Sequence, residues 1–281
     1  MAVPREAMQA PDAVQAPLNF FVYEGEKPKI FIGDPKAGIP QRTGEFRWHT
    51  VPVADGRALA DQFTLDREGF ELHAHQTAVT DFYDDEQVRS IYYPEIERLL
   101  KAATGATGVR IFDHTVRVEA DGKRDEKAVR APVRVVHNDY TLRSGPQRVR
   151  DLLEPEEAEL FLKHRFVEIN IWRSIGDEPV QTTPLAVADA QSIAAQDFIA
   201  TDLVYADRVG EIYQVAFSPE QRWYYFPKMN RNEVMLLKCY DSETDGRARF
   251  TAHSAFADPT AASDAPPRES IEVRTLVSFA P

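Results

Sequence analysis

Cysteine is all but missing from this 281-residue chain, where Cys239 stands alone. One thiol rules out an intramolecular disulfide, so packing and hydrogen bonds must hold the fold in a reducing compartment. Long apolar runs are missing too. No window approaches the about 18 consecutive apolar residues of a spanning helix. The opening Met1-Ala2-Val3-Pro4-Arg5-Glu6 lacks the apolar core of a secretory leader. A cytoplasmic protein is expected, with no membrane partner. Basic residues are in deficit: 33 Lys and Arg face 45 Asp and Glu, a formal net charge of −12. Phosphate backbones would be repelled, so no nucleic-acid partner is expected either. What remains is ordinary for a globular chain, with 43% hydrophobic and 28% charged residues. We expect one domain over residues 1–281, in which 1–18, a mix of Ala, Pro, Gln and charge, is a flexible tail.

The chemistry concentrates around Val133-Arg134-Val135-Val136-His137-Asn138-Asp139-Tyr140-Thr141. In an extended segment, residues two apart share a face, so one metal can take both His137 and Asp139. Among the seven His, the candidate for a third ligand is His253, in the strand-like run Arg249–Ser254. Two imidazoles and a carboxylate that leave other positions open are the ligand set of non-haem Fe(II) oxygenases. Further on, Arg268, Ser270, Glu272 and Arg274 alternate along one strand face, and Ile271, Val273 and Val277 along the other. A guanidinium fork and a hydroxyl two apart suit the far carboxylate of a 2-oxo acid that chelates the metal with its other end. The competing reading is a salt-bridged surface strand.

Elsewhere the pattern is mostly strands. Candidates are 19–23, 45–51 (ending at Pro52), 109–118, 166–174, 185–190, 211–217, 223–226, 233–240, 249–254 and 270–279, punctuated by Gly and Pro. Helical spacing marks 84–103, broken or kinked by Pro94 and ended by Gly105, and also 154–163. The charged stretch 119–130 reads as a solvated loop or a lid over the site. Many short strands with few helices suit a mainly β jelly-roll or cupin-like barrel.

Taken together, His-x-Asp, a late His and Arg-x-Ser resemble the Fe(II)- and 2-oxoglutarate-dependent dioxygenases. Several further stretches resemble the hydroxylase/desaturase family of microbial secondary metabolism. These are Thr80–Asp85 through Tyr92–Glu95, Phe112–Thr115, Asn170–Arg173, Pro179–Gln181, Lys238–Ser242 and Pro267–Arg274. The resemblance implies a double-stranded β-helix core with flanking helices, and Fe(II), 2-oxoglutarate and O₂ as cofactors. It implies His137, Asp139 and His253 as ligands and Arg268 as the 2-oxoglutarate anchor. It also implies hydroxylation, desaturation or cyclisation of a small natural-product intermediate. Asp139 at the third corner argues against a halogenase, which keeps that corner for halide.

Other residues carry two readings. Asn170 and Trp172 share a face, from which Asn170 would bond 2-oxoglutarate and Trp172 would wall the substrate pocket, or both simply pack. Tyr140 and Gln181 are candidate substrate contacts. Arg274 is a second anion anchor or, as we prefer, half of a buried ion pair. His114, His49 and the His73-Ala74-His75 pair are expected to be structural, and Cys239 a buried spectator. Rival functions are a cupin-like metalloenzyme without a 2-oxo acid, and a metal-free small-molecule binding or accessory protein. Oligomeric state stays open, a homodimer included.

Overall fold

The computed structural model describes residues 12–32 and 41–280. Fifteen strands and five short helices occur among them. The strands are β1 (Ala13–Val22), β2 (Lys29–Phe31), β3 (Gln41–Arg42), β4 (Glu45–Asp55), β5 (Phe70–Ala74), β6 (Gly108–Val118), β7 (His137–Asn138), β8 (Phe166–Ser174), β9 (Leu185–Ala188), β10 (Phe198–Val204), β11 (Val209–Val215), β12 (Trp223–Tyr225), β13 (Glu233–Asp241), β14 (His253–Ala255) and β15 (Glu269–Ser278). The helices are α1 (Asp85–Gln87), α2 (Tyr93–Thr104), α3 (Asp121–Lys127), α4 (Ser144–Leu152) and α5 (Pro155–Phe161).

Two sheets form the jelly roll that was expected. The larger runs β1-β4-β12-β9-β14-β7-β11-β10-β2-β3, and the smaller runs β5-β13-β8-β15-β6. Strand β8 is buried along its whole length. Its Val167, Ile169 and Ile171 pack outward with Ile96 and Leu100 of α2. Its Phe166 and Trp172 face inward among Leu185, Val187, Met235 and Leu276. Burying a side chain such as Ile96 stabilises by about 1.5–3 kcal/mol, and this packing fixes the inner face of the smaller sheet as the rigid wall of the site.

Several expected elements differ, each for a physical reason. Residues 13–18, expected in a tail, belong to β1, because Ala16, Leu18 and Phe20 bury completely. Pro17 is tolerated there because β1 lies at the sheet edge. The rest of the expected tail, 1–11, lies outside the described residues. Strand β4 runs on through Pro52, since its partner β12 starts pairing only at Val53. Pro94 does not split its helix. Instead a wide π-type turn over Val88–Tyr92 leads into α2, with Tyr93 N–H donating to Val88 O. Asp84 caps the start of this unit and Gly105, at φ 71°, ends it as expected. The stretch 119–130 contains α3, whose Lys123 ion-pairs with Glu269. The extended run around His137 has only two ladder residues, held between β14 and β11. Helix α4 and strands β2, β3, β5 and β10 were not foreseen.

Candidate active site

His137 and His253 are direct cross-strand partners in the β7/β14 pair. Their ring centroids lie 4.4 Å apart. Each ring is held the same way: His137 Nδ1 donates to Val135 O (2.7 Å) and His253 Nδ1 to Thr251 O (2.9 Å). A carbonyl only accepts, so the proton sits on Nδ1 and the Nε2 lone pair is free to ligate. Burial beside the other imidazole pushes His137 down to about 3, which keeps it neutral at physiological pH. Asp139 Oδ1 comes 3.5 Å from His137 Nε2. Donor atoms of His137, Asp139 and His253 all lie within 4.8 Å of one another, and no other such cluster occurs among the described residues. Two imidazole nitrogens and one carboxylate oxygen fit a divalent iron.

The other oxygen of Asp139 is held from the facing sheet. Asn170 Nδ2 (2.8 Å) and Arg274 Nε (3.0 Å) both donate to Oδ2. The Arg274 guanidinium therefore holds Asp139 far below the usual carboxylate range, against the desolvation that would raise it. Arg274 is the buried ion-pair partner we preferred, bonded also to Glu272 and to Asp113. The Nδ2 of Asn170, expected on 2-oxoglutarate, is committed to Asp139.

Asn138, between the two candidate ligands, points the other way and was not singled out. Its side chain donates to Tyr140 O (2.7 Å) and Cys239 O (2.8 Å) and accepts from Thr251 N (3.1 Å). This clasp ties the His-x-Asp segment to β13 and to the turn that aims His253. Thr251 also bonds Gly69 O and Lys238 O through its hydroxyl. Gly69 has φ +90°, and a Cβ there would stand 2.2 Å from Thr251 Oγ1, so only glycine fits.

At the other end of the wall, Arg268 is 3% exposed and has no carboxylate within ion-pair distance among the described residues. Its Nε donates to Ser270 Oγ (3.1 Å) and its Nη1 to Thr183 O (2.9 Å), and the guanidinium lies 4.9 Å from the Trp172 ring centroid. Burial without a counter-anion pushes Arg268 down to about 9, the environment of a cation awaiting a carboxylate. Arg117, across from Ser270 on β6, adds a second, half-buried guanidinium. Glu119 was read as part of a solvated loop. It instead accepts from Thr182, Thr183, Arg134 and the Arg268 backbone, pinning 182–183 against the Arg268 end of the site.

The remaining candidates are placed as follows. Trp172 is 2% exposed on the inner face. Tyr140 is buried beside Asp139. Gln181 is half-buried, two residues before Thr183. Cys239 is fully buried and its thiol is pushed well up by desolvation. His73 and His75 are occupied by Glu71 and Arg173, His114 by Tyr93, and His49 stacks on Phe217.

A family described as "Oxidoreductase/YMDC permease-like domain" matches residues 18–278. Among the described residues no helix is long and apolar enough to cross a membrane. The chain is 33% identical to the hydroxylase/desaturase efuI of Hormonema carpetanum over 295 residues, covering 96% of each. It is 35% identical to the Fe(II)/2-oxoglutarate-dependent dioxygenase nvfI of Aspergillus novofumigatus over 259 residues, 86% of this chain and 88% of that one. A solved structure of the iron and alpha-ketoglutarate-dependent endoperoxidase NvfI superposes with a TM-score of 0.83 at 30% identity, covering 96% of this chain and 99% of that one.

Proposed function

The chain belongs to the hydroxylase/desaturase family of Fe(II)/2-oxoglutarate-dependent dioxygenases of secondary metabolism, and from that premise we propose that His137, Asp139 and His253 hold its iron and that Arg268 and Ser270 receive the far carboxylate of 2-oxoglutarate. The protein is an oxidoreductase that uses Fe(II), 2-oxoglutarate and O₂ to hydroxylate, desaturate or cyclise a small natural-product intermediate. The observation that carries the residue assignment is the convergence of two Nδ1-protonated imidazoles and one anchored carboxylate on a single point between the sheets.

Within this assignment the side chains divide the work. His137 and His253 present Nε2, each ring fixed by the carbonyl behind it. Asp139 presents Oδ1, because Asn170 and Arg274 occupy Oδ2. Arg268 supplies the charge for a carboxylate and Ser270 a hydroxyl proton, since its oxygen already accepts from Arg268. Iron held there would let O₂, the oxidant, take two electrons from 2-oxoglutarate, which leaves as succinate and CO₂, and two from a substrate C–H bond. Trp172, Tyr140 and Gln181 are assigned to the substrate side, where they exclude water and set which C–H bond faces the metal. We assign the chain one dioxygenase domain in the cytoplasm.

Anaerobic calorimetry with Mn(II), followed by 2-oxoglutarate, tests the assignment. His137→Ala is expected to lose metal binding. Arg268→Ala is expected to keep the metal and to weaken 2-oxoglutarate by on the order of 100-fold, as loss of a charged bidentate contact does. Undiminished Mn(II) affinity in His137→Ala would sink it.

A further inference from the structure

Three successive inward-facing side chains of β8 each carry a buried polar atom without a partner: both carboxyl oxygens of Glu168, Oδ1 of Asn170 and Nε1 of Trp172. They stand on one face of one strand, about 7 Å apart at each step. In a core that satisfies nearly all its polar groups, a row of orphans marks atoms that wait for a ligand. The row has a direction. Trp172 lies against Arg268, the 2-oxoglutarate end. Asn170 lies against Asp139, the metal. Glu168 is the third step, on the side away from Arg268.

Glu168 is fully buried and its carboxyl is pushed well above the usual range, desolvation being the largest cause and the negative charge of Asp139 adding to it. It therefore stands as a neutral acid, with one O–H to donate and one oxygen to accept. Leu276 and Tyr240 flank it in register on β15 and β13. Tyr140 and Cys239 pack in the same buried cluster as these two neighbours. Arg148 of α4, whose Nε is also buried without a partner, lies over the Phe112 ring and is the cation that acts on Glu168 most strongly. Leucine at 168 would pack the same wall without two unmet hydrogen-bonding atoms, so packing alone gives no reason for an acid.

We propose that Glu168 is a substrate-binding residue that reads a neutral oxygen, a hydroxyl or a carbonyl, on an otherwise apolar substrate. Strand β8 then serves as a ruler, with the Arg268 guanidinium beside 172, the proposed metal beside 170 and substrate oxygen at 168. A cationic ligand is disfavoured by Arg148 and Arg274. An anionic one is disfavoured by Asp139 and by a carboxyl that would have to stay protonated against it. The ruler rests on the metal and 2-oxoglutarate assignment above, but the ligand chemistry at Glu168 is tested separately from it.

The test uses the full chain loaded with Mn(II) without oxygen, and three matched probes: borneol, camphor and their parent hydrocarbon bornane. Wild type is expected to bind borneol and camphor on the order of ten-fold tighter than bornane, one net hydrogen bond's worth. Glu168→Gln, which keeps a donor and an acceptor, should hold that preference within a few-fold, and Glu168→Leu should erase it. Calorimetric 2-oxoglutarate affinity should be unchanged in both variants. If 2-oxoglutarate fails to bind wild type, the functional assignment falls while the alcohol preference still decides the Glu168 site. A second readout needs no stable Leu variant: an infrared protonated-carboxyl band, absent in Glu168→Gln, should shift when borneol binds wild type. Equal binding of alcohol and hydrocarbon by wild type, a preference that survives in Glu168→Leu, or an unmoved band would each overturn the proposal.

Discussion

Arg274 and Arg268 share a strand face six residues apart, yet their surroundings give them opposite tasks. Arg274 meets three carboxylates and holds Asp139 in place, whereas Arg268 meets none and is left for a ligand. Arg274→Gln is therefore expected to weaken Mn(II) binding about 10–100-fold, the usual effect of removing a group that orients a ligand, as calorimetry will show. Retention of full affinity would mean that Asn170 alone holds Asp139. Glu168 gives a pH prediction. Its carboxyl is raised in the fold, while in the unfolded chain it ionises near about 4.3. Above that pH the unfolded state releases a proton that the native state keeps, so Glu168 lowers stability by about 1.4 kcal/mol per pH unit until its native value is reached. Urea denaturation should show a stability gain of Glu168→Gln over wild type that grows from pH 4.5 to pH 8 and is small at pH 4. A pH-independent difference would mean that the acid is ionised in the fold.

Among the elements, two very short strands position two of the three proposed ligands. Strands β7 and β14 have two and three residues, and tertiary clasps support them in place of ladder length. Gly69 and Thr251 form one such clasp. Gly69→Ala puts an L side chain at φ +90° and drives Cβ into Thr251 Oγ1. A loss of at least about 1–2 kcal/mol is expected, together with weaker metal binding, because Thr251 O orients His253. Normal Mn(II) affinity in a destabilised variant would separate the clasp from the site. Helix α2 acts from farther away, bracing the back of β8. Ile96→Ala should destabilise by about 2–5 kcal/mol in urea denaturation, while leaving 2-oxoglutarate affinity in the folded fraction unchanged.

In the whole molecule, the proposed ligands His137 and His253 stand in one sheet while the carboxylate of Asp139 is anchored to the other by Asn170 and Arg274, so a metal held by them would stiffen the pair of sheets. A free metal concentration 100 times Kd stabilises the fold by about 2.7 kcal/mol, which at roughly 2–4 °C per kcal/mol for large domains predicts a Tm drop of about 5–10 °C on chelation. A chelator without effect on Tm would mean that no metal links the sheets. The residues that cluster, His-x-Asp with a late His, and the Arg-x-Ser pair were legible as candidates in the sequence, because spacing by two survives any strand placement. The long strands were legible for the same reason of period, and the jelly roll followed from their number. Residues 13–18 were misread because their strand is made by pairing with β4 and by burial of Ala16 and Leu18 among Val53, Ala188 and Trp223, not by local preference. Helix α3 was missed because its charges carry no apolar stripe. Asn138, Glu119 and Glu168 were invisible as site residues, since a polar side chain gains its meaning from what lies across from it. The sequence by itself determined which donors exist and on which face of their own strands they stand. Only the tertiary structure decided their partners, because cross-sheet contacts between residues more than a hundred positions apart set which charges are compensated and which are left open for a ligand.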